Sequence, residues 1–399
     1  MSAYEIKNNI YWVGAVDWNL RNFHGYSTNR GSTYNSYLII DEKVVLIDTV
    51  KAPFSKIMLD NISEIIDPSK IDIIISNHVE PDHSGAIPEV LKYAKNAVVY
   101  TSAPAGIKGL TMHYGELPLV EVKSGDTLSI GKRTLNFVQT PMVHWPDNLV
   151  TYIPEDNILF SNDAFGQHLA CSERVDYRAD MDQVFEEAKK YYANIVLPYS
   201  MQVKKALDVI STLEIDIIAP SHGIIWKKYI SQIIDYYNSL VSHKKHDKAV
   251  VVFDSMWGNS AIIANAISDA FITSGVSVKM FNLSNSHNSD VITECMDAKY
   301  LAVGSSTLNN GIIPTVASFL CYLKGLNPKN IEYIAFGSFG WGGQSIGIIA
   351  KELDGMKYKP LTDNIAIQFV PKPEQLLEIK KLVKSKLTVS ETKLIEEGN

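Results

Sequence analysis

Residues 76–86 read SNHVEPDHSGA and directly follow the apolar run IDIII at 71–75. The apolar run predicts a buried strand, so His78, Glu80, Asp82 and His83 would stand at its carboxyl end. Charged groups are costly at such a position unless something pairs them. Imidazole and carboxylate groups crowded into six positions are typical of a metal site. The alternative is a polar surface loop whose side chains pair with one another.

Three later residues fit the same site because each follows a predicted strand. His144 lies in TPMVHWPDN, Asp163 in ILFSNDAFG and His222 in IIAPSHGII. Residues at strand ends can converge on one edge of a β-sandwich. With the first stretch they give four imidazoles and three carboxylates, which are too many ligands for one ion and suit two. The candidate metal ligands are His78, Glu80, Asp82, His83, His144, Asp163 and His222.

Composition narrows the classes of protein that remain. The chain has 399 residues, a formal net charge of −7 and three cysteines. The acidic balance argues against a nucleic-acid binder or a protein drawn to anionic membranes, and no apolar run reaches the roughly 20 residues of a membrane helix. Without a C-x-x-C pair, a fused rubredoxin, zinc ribbon or usual iron–sulfur site is not expected within the chain. The opening MSAYEIKNN has no signal-peptide pattern, so we expect a cytoplasmic location.

The chain has two regions with different patterns of predicted strands and helices. Up to about residue 245, paired strand patterns precede helical patterns, which predicts an α/β sandwich with helices outside its sheets. The polar run SHKKHDK at 242–248 is predicted to be a linker. After it, apolar strands alternate with helices, which indicates a doubly wound parallel sheet of the flavodoxin type. The predicted domains are residues 1–245 and 249–399.

The first strand of the second half leads into SMWGNS at 255–260, which fits the pattern [S/T]-x-x-G-x-[S/T]. Its hydroxyl and backbone N–H groups would hold a phosphate without Lys or Arg, as flavodoxins hold FMN. Two further loops, GSSTLNNG (304–311) and GSFGWGG (337–343), also end predicted strands, where such sheets bind ligands. Trp257 and Trp341 offer stacking surfaces for an isoalloxazine, although ordinary packing would explain either alone. The resemblance to FMN-binding flavoproteins implies these cofactor-binding residues: Ser255, Met256, Trp257, Gly258, Asn259, Ser260, Ser305, Ser306, Thr307, Leu308, Asn309, Asn310, Ser338, Phe339, Gly340, Trp341, Gly342 and Gly343.

The order of the candidate ligands resembles the metallo-β-lactamase fold, whose hydrolases carry H-x-H-x-D-H followed by His, Asp and His. Glu80 stands where that motif has its second histidine, and the harder oxygen donor favours redox iron over hydrolytic zinc. With both halves considered, the chain resembles a flavodiiron protein, also called an A-type flavoprotein, over roughly residues 3–387. The implied architecture is a metallo-β-lactamase-like αββα sandwich followed by a flavodoxin-like domain.

The resemblance implies FMN and a non-haem di-iron centre. It places His78, Glu80 and His144 on one iron and Asp82, His83 and His222 on the other. Asp163 would bridge the two irons. It also implies a head-to-tail homodimer, or a dimer of two such dimers, in which the FMN of one chain faces the irons of the other.

Residues beside the substrate pocket follow from the same resemblance. His24, in NFHGYST, and Tyr191 or Tyr192, in KKYYAN, would donate a hydrogen bond or a proton to bound O₂ or NO. Structural packing is the alternative for each of them. The remaining histidines have no such context and receive no predicted role: His113, His168, His243, His246 and His287.

The implied activity is reduction of O₂ to water, of NO to N₂O, or of both, with FMN relaying electrons from rubredoxin or a similar donor. A reduced deazaflavin coenzyme stays open as the donor. Two other classes remain: a binuclear zinc hydrolase of the glyoxalase or lactamase kind with a fused flavodoxin-like module, and a flavodoxin-like electron carrier with a degenerate metal domain. Glu80 argues against the first, and the intact ligand set argues against the second.

Overall fold

The computed structural model describes residues 2–396. The chain divides into two compact units between Val241 and Ser242. The run 242–248 is not wholly a linker, because a strand already begins at His246. Lys248 is held in that strand by parallel pairing with Ser277, and its ammonium group lies 2.7 Å from a carboxylate oxygen of Asp297. A charged run can therefore be a strand when its partners neutralise it.

The first unit alternates short strands with helices. Its strands are β1 (Tyr4–Lys7), β2 (Ile10–Trp12), β3 (Ala15–Asp17), β4 (Asn22–Phe23), β5 (Tyr26–Ser27), β6 (Ser32–Tyr34), β7 (Tyr37–Ile40), β8 (Val44–Ile47), β9 (Ile73–Ser76), β10 (Val98–Ser102), β11 (Leu119–Val122), β12 (Thr127–Ser129), β13 (Thr134–Gln139), β14 (Leu149–Ile153), β15 (Ile158–Asn162) and β16 (Ile217–Pro220). Its α-helices are α1 (Ser55–Ser63), α2 (Pro81–Ser84), α3 (Ile87–Tyr93), α4 (Ala105–Tyr114), α5 (Met181–Tyr191), α6 (Ser200–Ile210) and α7 (Ile230–Val241). Short 3₁₀ turns cover Ala52–Phe54, Pro68–Lys70, Asp176–Arg178 and Leu197–Tyr199, and a π-helical segment, Tyr192–Val196, continues α5.

Two sheets form the centre of this unit. One runs in the order β1-β2-β7-β8-β9-β10-β11 and the other in the order β12-β13-β14-β15-β16. Alternate residues of the first sheet, such as Val45 and Ile75, pack with Phe137 and Phe160 of the second in one apolar cluster. The intervening residues face a second cluster that includes Ile62 of α1 and other helical side chains. Strands that are apolar on both faces are explained by this layering, which confirms the predicted αββα sandwich.

The second unit repeats a strand–helix pattern. Its strands are β17 (His246–Asp254), β18 (Ser277–Asn282), β19 (Ala298–Ser305), β20 (Thr307–Leu308), β21 (Gly311–Ile312), β22 (Glu332–Phe339), β23 (Lys359–Pro360) and β24 (Ile365–Gln368). Its helices are α8 (Asn259–Ile272), α9 (Asn288–Cys295), α10 (Pro314–Leu326), α11 (Gln344–Gly355) and α12 (Pro373–Glu396).

The main sheet of this unit is parallel and runs in the order β18-β17-β19-β22-β24, with β23 also pairing with β22. By chain order of the main strands this is 2-1-3-4-5, the arrangement of flavodoxin-like doubly wound sheets. The predicted fold class is therefore confirmed for this unit. Among the described residues, no helix combines the length and the apolar character needed to cross a membrane.

Candidate metal centre and cofactor site

The predicted ligands of the first unit follow the ends of its strands. His78 and Glu80 come after β9, Asp163 directly follows β15, and His222 comes two residues after β16. Within the stretch after β9, residues Pro81–Ser84 form the helical turn α2. Proline suits the first position of a helix because its missing N–H group would be unpaired there in any case. Asp82 and His83 therefore project from a helical turn.

Asp163 lies at the centre of the cluster. Its Oδ2 atom is 3.7 Å from Nε2 of His78 and 3.4 Å from Nε2 of His144. Its Oδ1 atom is 3.2 Å from Nε2 of His83 and 3.5 Å from Nε2 of His222. Each carboxylate oxygen thus faces a different pair of imidazoles, which is the arrangement a bridging carboxylate requires.

Glu80 and Asp82 each approach one of these two pairs of imidazoles. Glu80 Oε2 lies 3.3 Å from Nε2 of His78 and 3.5 Å from Nε2 of His144. Asp82 contributes Oδ1 at 3.5 Å from Nε2 of His83 and Oδ2 at 3.2 Å from Nε2 of His222. The seven predicted ligands therefore converge in one cluster.

The distances between ligand atoms do not separate the seven residues into the two sets predicted for the two ions. Potential ligand atoms of His78, Glu80, His83 and Asp163 all lie within 4.8 Å of one another, as do those of Asp82, His83 and His222. His83 therefore borders both groups. His144 approaches Glu80 and Asp163 individually but is not a member of either compact group.

The donor atoms of this cluster fit bound cations. Within the described part of the chain, buried atoms without a hydrogen-bond partner include Nε2 of His78, His83 and His144, Oε2 of Glu80, and both carboxylate oxygens of Asp82 and Asp163. A buried polar atom left unpaired costs about 1–3 kcal/mol. Metal ions that accept the lone pairs of these atoms would stabilise the buried cluster.

The ionisation of the cluster follows from its mixed charges. Burial alone would raise the pKa of Asp163, but His83 and the other imidazoles outweigh it and hold that pKa well below its usual value. Burial alone would lower the pKa of His78, but the hydrogen bond with Asp147 outweighs burial and raises that pKa well above its usual value. For Glu80, burial is again outweighed, here by His144, His24 and His78, and the pKa is lowered. Anionic carboxylates are therefore favoured, as metal ligation requires.

Two groups hold the ligand imidazoles from behind, and neither was predicted. Asp147 Oδ2 lies 2.8 Å from Nδ1 of His78 and also accepts the backbone N–H of Val79 at 2.8 Å. The carbonyl oxygen of Thr33 lies 2.6 Å from Nδ1 of His222. Such contacts leave Nε2 of each ring free to bind a metal. The one available signal for Asp147 was its position three residues after His144, in HWPDN.

His24 and Tyr191 lie beside the cluster, whereas Tyr192 belongs to a packing contact. His24 Nε2 is 2.5 Å from Oε1 of Glu80, the oxygen that does not face the imidazoles of the cluster. Burial first, and the charge of Asp163 second, raise the pKa of Tyr191 well above its usual value. The hydroxyl of Tyr192 instead pairs with Ser200 Oγ at 2.9 Å. Of the two tyrosines, the structure therefore brings Tyr191 to the site.

His168, which received no role from the sequence, also lies against the site. Its ring centroid is 4.7 Å from that of His222 and 5.1 Å from that of Tyr191. Burial, and then the charge of His222, lower the pKa of His168 well below its usual value. Its position five residues after Asp163, in a turn that leads away from β15, carried no ligand-like pattern.

A separate cavity of about 480 Å³ lies at the carboxyl ends of the strands in the second unit. Its volume falls in the range of small-molecule and cofactor sites. Most of the predicted cofactor-binding residues line it: Met256, Trp257, Asn259, Ser306, Thr307, Asn309, Asn310, Ser338, Phe339, Gly340, Trp341 and Gly342. Trp257 and Trp341 are 87% and 93% exposed, so they are available as stacking surfaces and are not core residues.

The floor of this cavity is a set of hydroxyl contacts that joins the three predicted loops. Ser260 Oγ lies 3.2 Å from Oγ of Ser306 and 3.4 Å from Oγ of Ser338. The predicted residues that are not among those lining the cavity are Ser255, Gly258, Ser260, Ser305, Leu308 and Gly343. Ser255 accepts the N–H of Ser260 at 3.2 Å, so these residues shape the loop from beneath.

Gly258 precedes the helix that begins at this cavity, and Phe369 lines the cavity itself. Gly258 has φ of +82° and caps the start of α8, a conformation that glycine adopts without strain. Phe369 lines the cavity and was missed, because it follows the last strand and lies outside the three loops. Helix N-terminal N–H groups with neutral hydroxyls suit a phosphate, and the aromatic walls suit a flat ring system.

Comparison with known proteins agrees with this two-part geometry. Residues 33–223 match the model of the ODP family beta lactamase, and residues 251–381 match that of flavodoxin. The nitric oxide reductase of Moorella thermoacetica is 44% identical, with 93% of this chain and 94% of that protein covered. The rubredoxin-oxygen oxidoreductase of Megalodesulfovibrio gigas is 39% identical, with 93% and 94% covered.

The solved structure of the flavodiiron protein from Giardia intestinalis superposes with a TM-score of 0.94 at 36% identity, over 97% of this chain and 96% of that one. Similarity of this extent spans both units of the chain. It is accompanied by the converging imidazoles and carboxylates in the first unit and by the cofactor cavity in the second. The chain therefore belongs to the flavodiiron protein family, and it is an oxidoreductase.

Proposed function

We propose that this chain reduces O₂ to water, NO to N₂O, or both, at a non-haem di-iron site supplied with electrons by FMN. FMN and two irons are the cofactors of the family, and the chain has a flavodoxin domain and a candidate metal-binding group to hold them. The observation that carries the proposal is the convergence of seven buried side chains, six of which have ligand atoms without a hydrogen-bond partner within the described residues. A relative named nitric oxide reductase and another named rubredoxin-oxygen oxidoreductase support the two substrates.

The contacts support a division of ligands between two irons. His78, Glu80 and His144 would hold one, Asp82, His83 and His222 the other, and Asp163 would bridge them. The support for the bridge is that Oδ2 of Asp163 faces His144 at 3.4 Å and Oδ1 faces His83 at 3.2 Å. His83 borders both groups of ligand atoms, so its attachment to one iron is the least constrained of the set.

The second unit would hold FMN. Ser255–Ser260 and the start of α8 would bind the phosphate through neutral donors, and Trp257, Trp341 and Phe369 would surround the ring system. When bound, the irons and the flavin together supply four electrons, enough for O₂, while two suffice to couple two NO molecules.

The chain's own residues would orient the substrate and supply hydrogen bonds. His24 Nε2 lies 2.5 Å from Oε1 of Glu80, so the imidazole can orient a proposed metal ligand. The hydroxyl of Tyr191, buried beside Asp163, stays protonated because its pKa is raised, and it can therefore donate a hydrogen bond. Tyr191 is buried, whereas His24 is partly open to solvent.

The electron donor proposed is rubredoxin or a similar small carrier. The name of the Megalodesulfovibrio gigas relative supports that donor class. A head-to-tail homodimer is also proposed, in which the FMN of one chain faces the irons of its partner.

The deciding experiment is anaerobic purification followed by metal and flavin analysis and stopped-flow mixing. We expect about two irons and one FMN per chain, and rapid reoxidation of the reduced protein by O₂, by NO or by both. The ratio of the two turnover numbers decides the substrate. Negligible rates with both gases would overturn the reductase proposal, and bound zinc with thioester or lactam hydrolysis would favour the hydrolase.

A further inference from the structure

His168 is a fully enclosed imidazole outside the ligand set. It is 1% exposed, and its ring lies in an aromatic enclosure with centroid distances of 5.3 Å to Phe23, 5.1 Å to Tyr191 and 4.7 Å to His222. The contact with His222 is T-shaped, with an interplanar angle of 61°. A rigid ring in this position limits the rotation of the His222 imidazole about its own axis.

Ser32 is the polar partner of His168. Its Oγ atom lies 2.7 Å from Nδ1 of His168 and 3.2 Å from the carbonyl oxygen of Thr33. Within the described residues Nε2 of His168 has no hydrogen-bond partner, which leaves Ser32 as the polar anchor of the ring.

Two consecutive residues of β6 therefore tether two imidazoles that touch each other. Ser32 holds His168 through its side chain, and Thr33 holds His222 through its carbonyl oxygen at 2.6 Å from Nδ1. The backbone at this point is itself fixed, because Thr33 Oγ1 accepts the N–H of Gly223, the residue after His222. The direction of His222 Nε2 depends on both tethers.

We infer that His168 is a positioning residue: anchored by Ser32, it braces the imidazole of His222 so that Nε2 points at Asp82 and Asp163. His168 is not a member of either group of converging ligand atoms. The inference rests on the proposed di-iron function, because His222 matters only if it binds a metal there. Removing an outer partner of a metal ligand weakens metal binding by roughly 10–100-fold, and a packing brace should lie near the low end of that range.

The test compares His168→Phe, Ser32→Ala and the double variant with the unaltered full-length protein. His168→Phe keeps a ring in the enclosure but loses the anchor, and Ser32→Ala removes the anchor with little change in volume. Iron affinity is measured by competition with an Fe(II) chelator well below the unfolding temperature, and the mixed-valent signal is recorded by electron paramagnetic resonance. A buried substitution of β13, Phe137→Leu, is the matched control for general destabilisation.

We expect each single variant to lose roughly tenfold in iron affinity and to show an altered mixed-valent signal, with the double variant no worse than either single. Phe137→Leu should lower the unfolding temperature without either change. Unchanged affinity and spectrum in Ser32→Ala would overturn the inference, even if His168→Phe failed to fold. If the unaltered protein itself failed to bind two irons, the proposed function would be the claim that fails.

Discussion

Asp147 holds His78 from behind: its Oδ2 atom lies 2.8 Å from Nδ1 of His78, across 69 positions of sequence. The same oxygen accepts the backbone N–H of Val79 at 2.8 Å, so the carboxylate fixes both the ring and the chain that carries it. Burial alone would raise the pKa of Asp147, but the hydrogen bond with His78 outweighs burial and lowers that pKa. The carboxyl group is therefore an anion. This contact makes Nε2 of His78 the ring atom that faces the other ligands.

Asp147→Asn should weaken iron binding by roughly 10–100-fold, because the neutral amide cannot stabilise the Nδ1–H tautomer as a carboxylate does. The measurement is iron retained per chain in a chelator titration, at matched protein concentration. Asp60→Asn, which alters an exposed partner of Lys56, serves as the control and should retain iron fully. Equal retention by both variants would contradict the role given to Asp147.

The adjacent tyrosines provide a matched pair. Tyr191→Phe removes a hydroxyl beside Asp163, and we expect turnover with O₂ or NO to fall by roughly tenfold or more, with iron content kept. Tyr192→Phe removes a hydroxyl bonded to Ser200, and we expect a loss of about 1 kcal/mol in the free energy of unfolding with turnover kept. Stopped-flow rates and denaturant titrations of both variants check this. The reverse pattern would exchange the two assignments.

Stability should depend on pH with opposite signs in the metal-free and iron-loaded proteins. Burial alone would lower the pKa of His83, but Asp82 and Asp163 outweigh it and raise the pKa to about 9. The unfolded value is 6.5, so protonated His83 stabilises the metal-free fold fully below about pH 6.5, and this is lost as pH rises towards 9. In the iron-loaded protein, protons compete with the metal, so iron binding strengthens over the same range.

Thermal unfolding of chelator-treated and iron-loaded protein between pH 6.5 and 9 tests this pair of slopes. His83→Asn should reduce the slope of the metal-free protein, since one of its titrating imidazoles is gone while His78 and His144, whose pKa values are also raised, remain. A metal-free protein that becomes more stable as pH rises through this window would show that His83 is not paired as described.

FMN binding should depend on the hydroxyl contacts beneath the cavity. Ser260→Ala removes the group that meets both Ser306 and Ser338, and we expect FMN affinity to fall by up to about tenfold. Fluorescence titration of the flavin-free protein measures the change. Ser385→Ala, an exposed position on α12, should bind FMN as the unaltered protein does. Iron content should be the same in both variants.

Patterns of short range along the chain predicted the fold, which the structure confirms, and the residues of the candidate metal site, which the structure brings together. Apolar runs of the second half predicted the central strands β17, β19 and β22, because parallel strands covered on both faces are apolar throughout. The edge strands β18 and β24 were also predicted, although they are partly exposed. The grouping at 76–86 predicted a metal site, because buried charge at a strand end requires a partner. Local pattern was misleading at 242–248, where charged residues are accommodated in β17 by carboxylates far along the chain.

The sequence by itself determined which donor types are present in residues 76–86 and 255–260, and near which strand ends these donors lie. Only the tertiary structure decided how those donors are held. Thr33 reaches His222 across 189 positions, and the choice of Tyr191 over Tyr192 depends on the turn of one helix. Such contacts arise when sheets and helices pack, and packing is set by the whole core, so no neighbouring residues along the chain encode them.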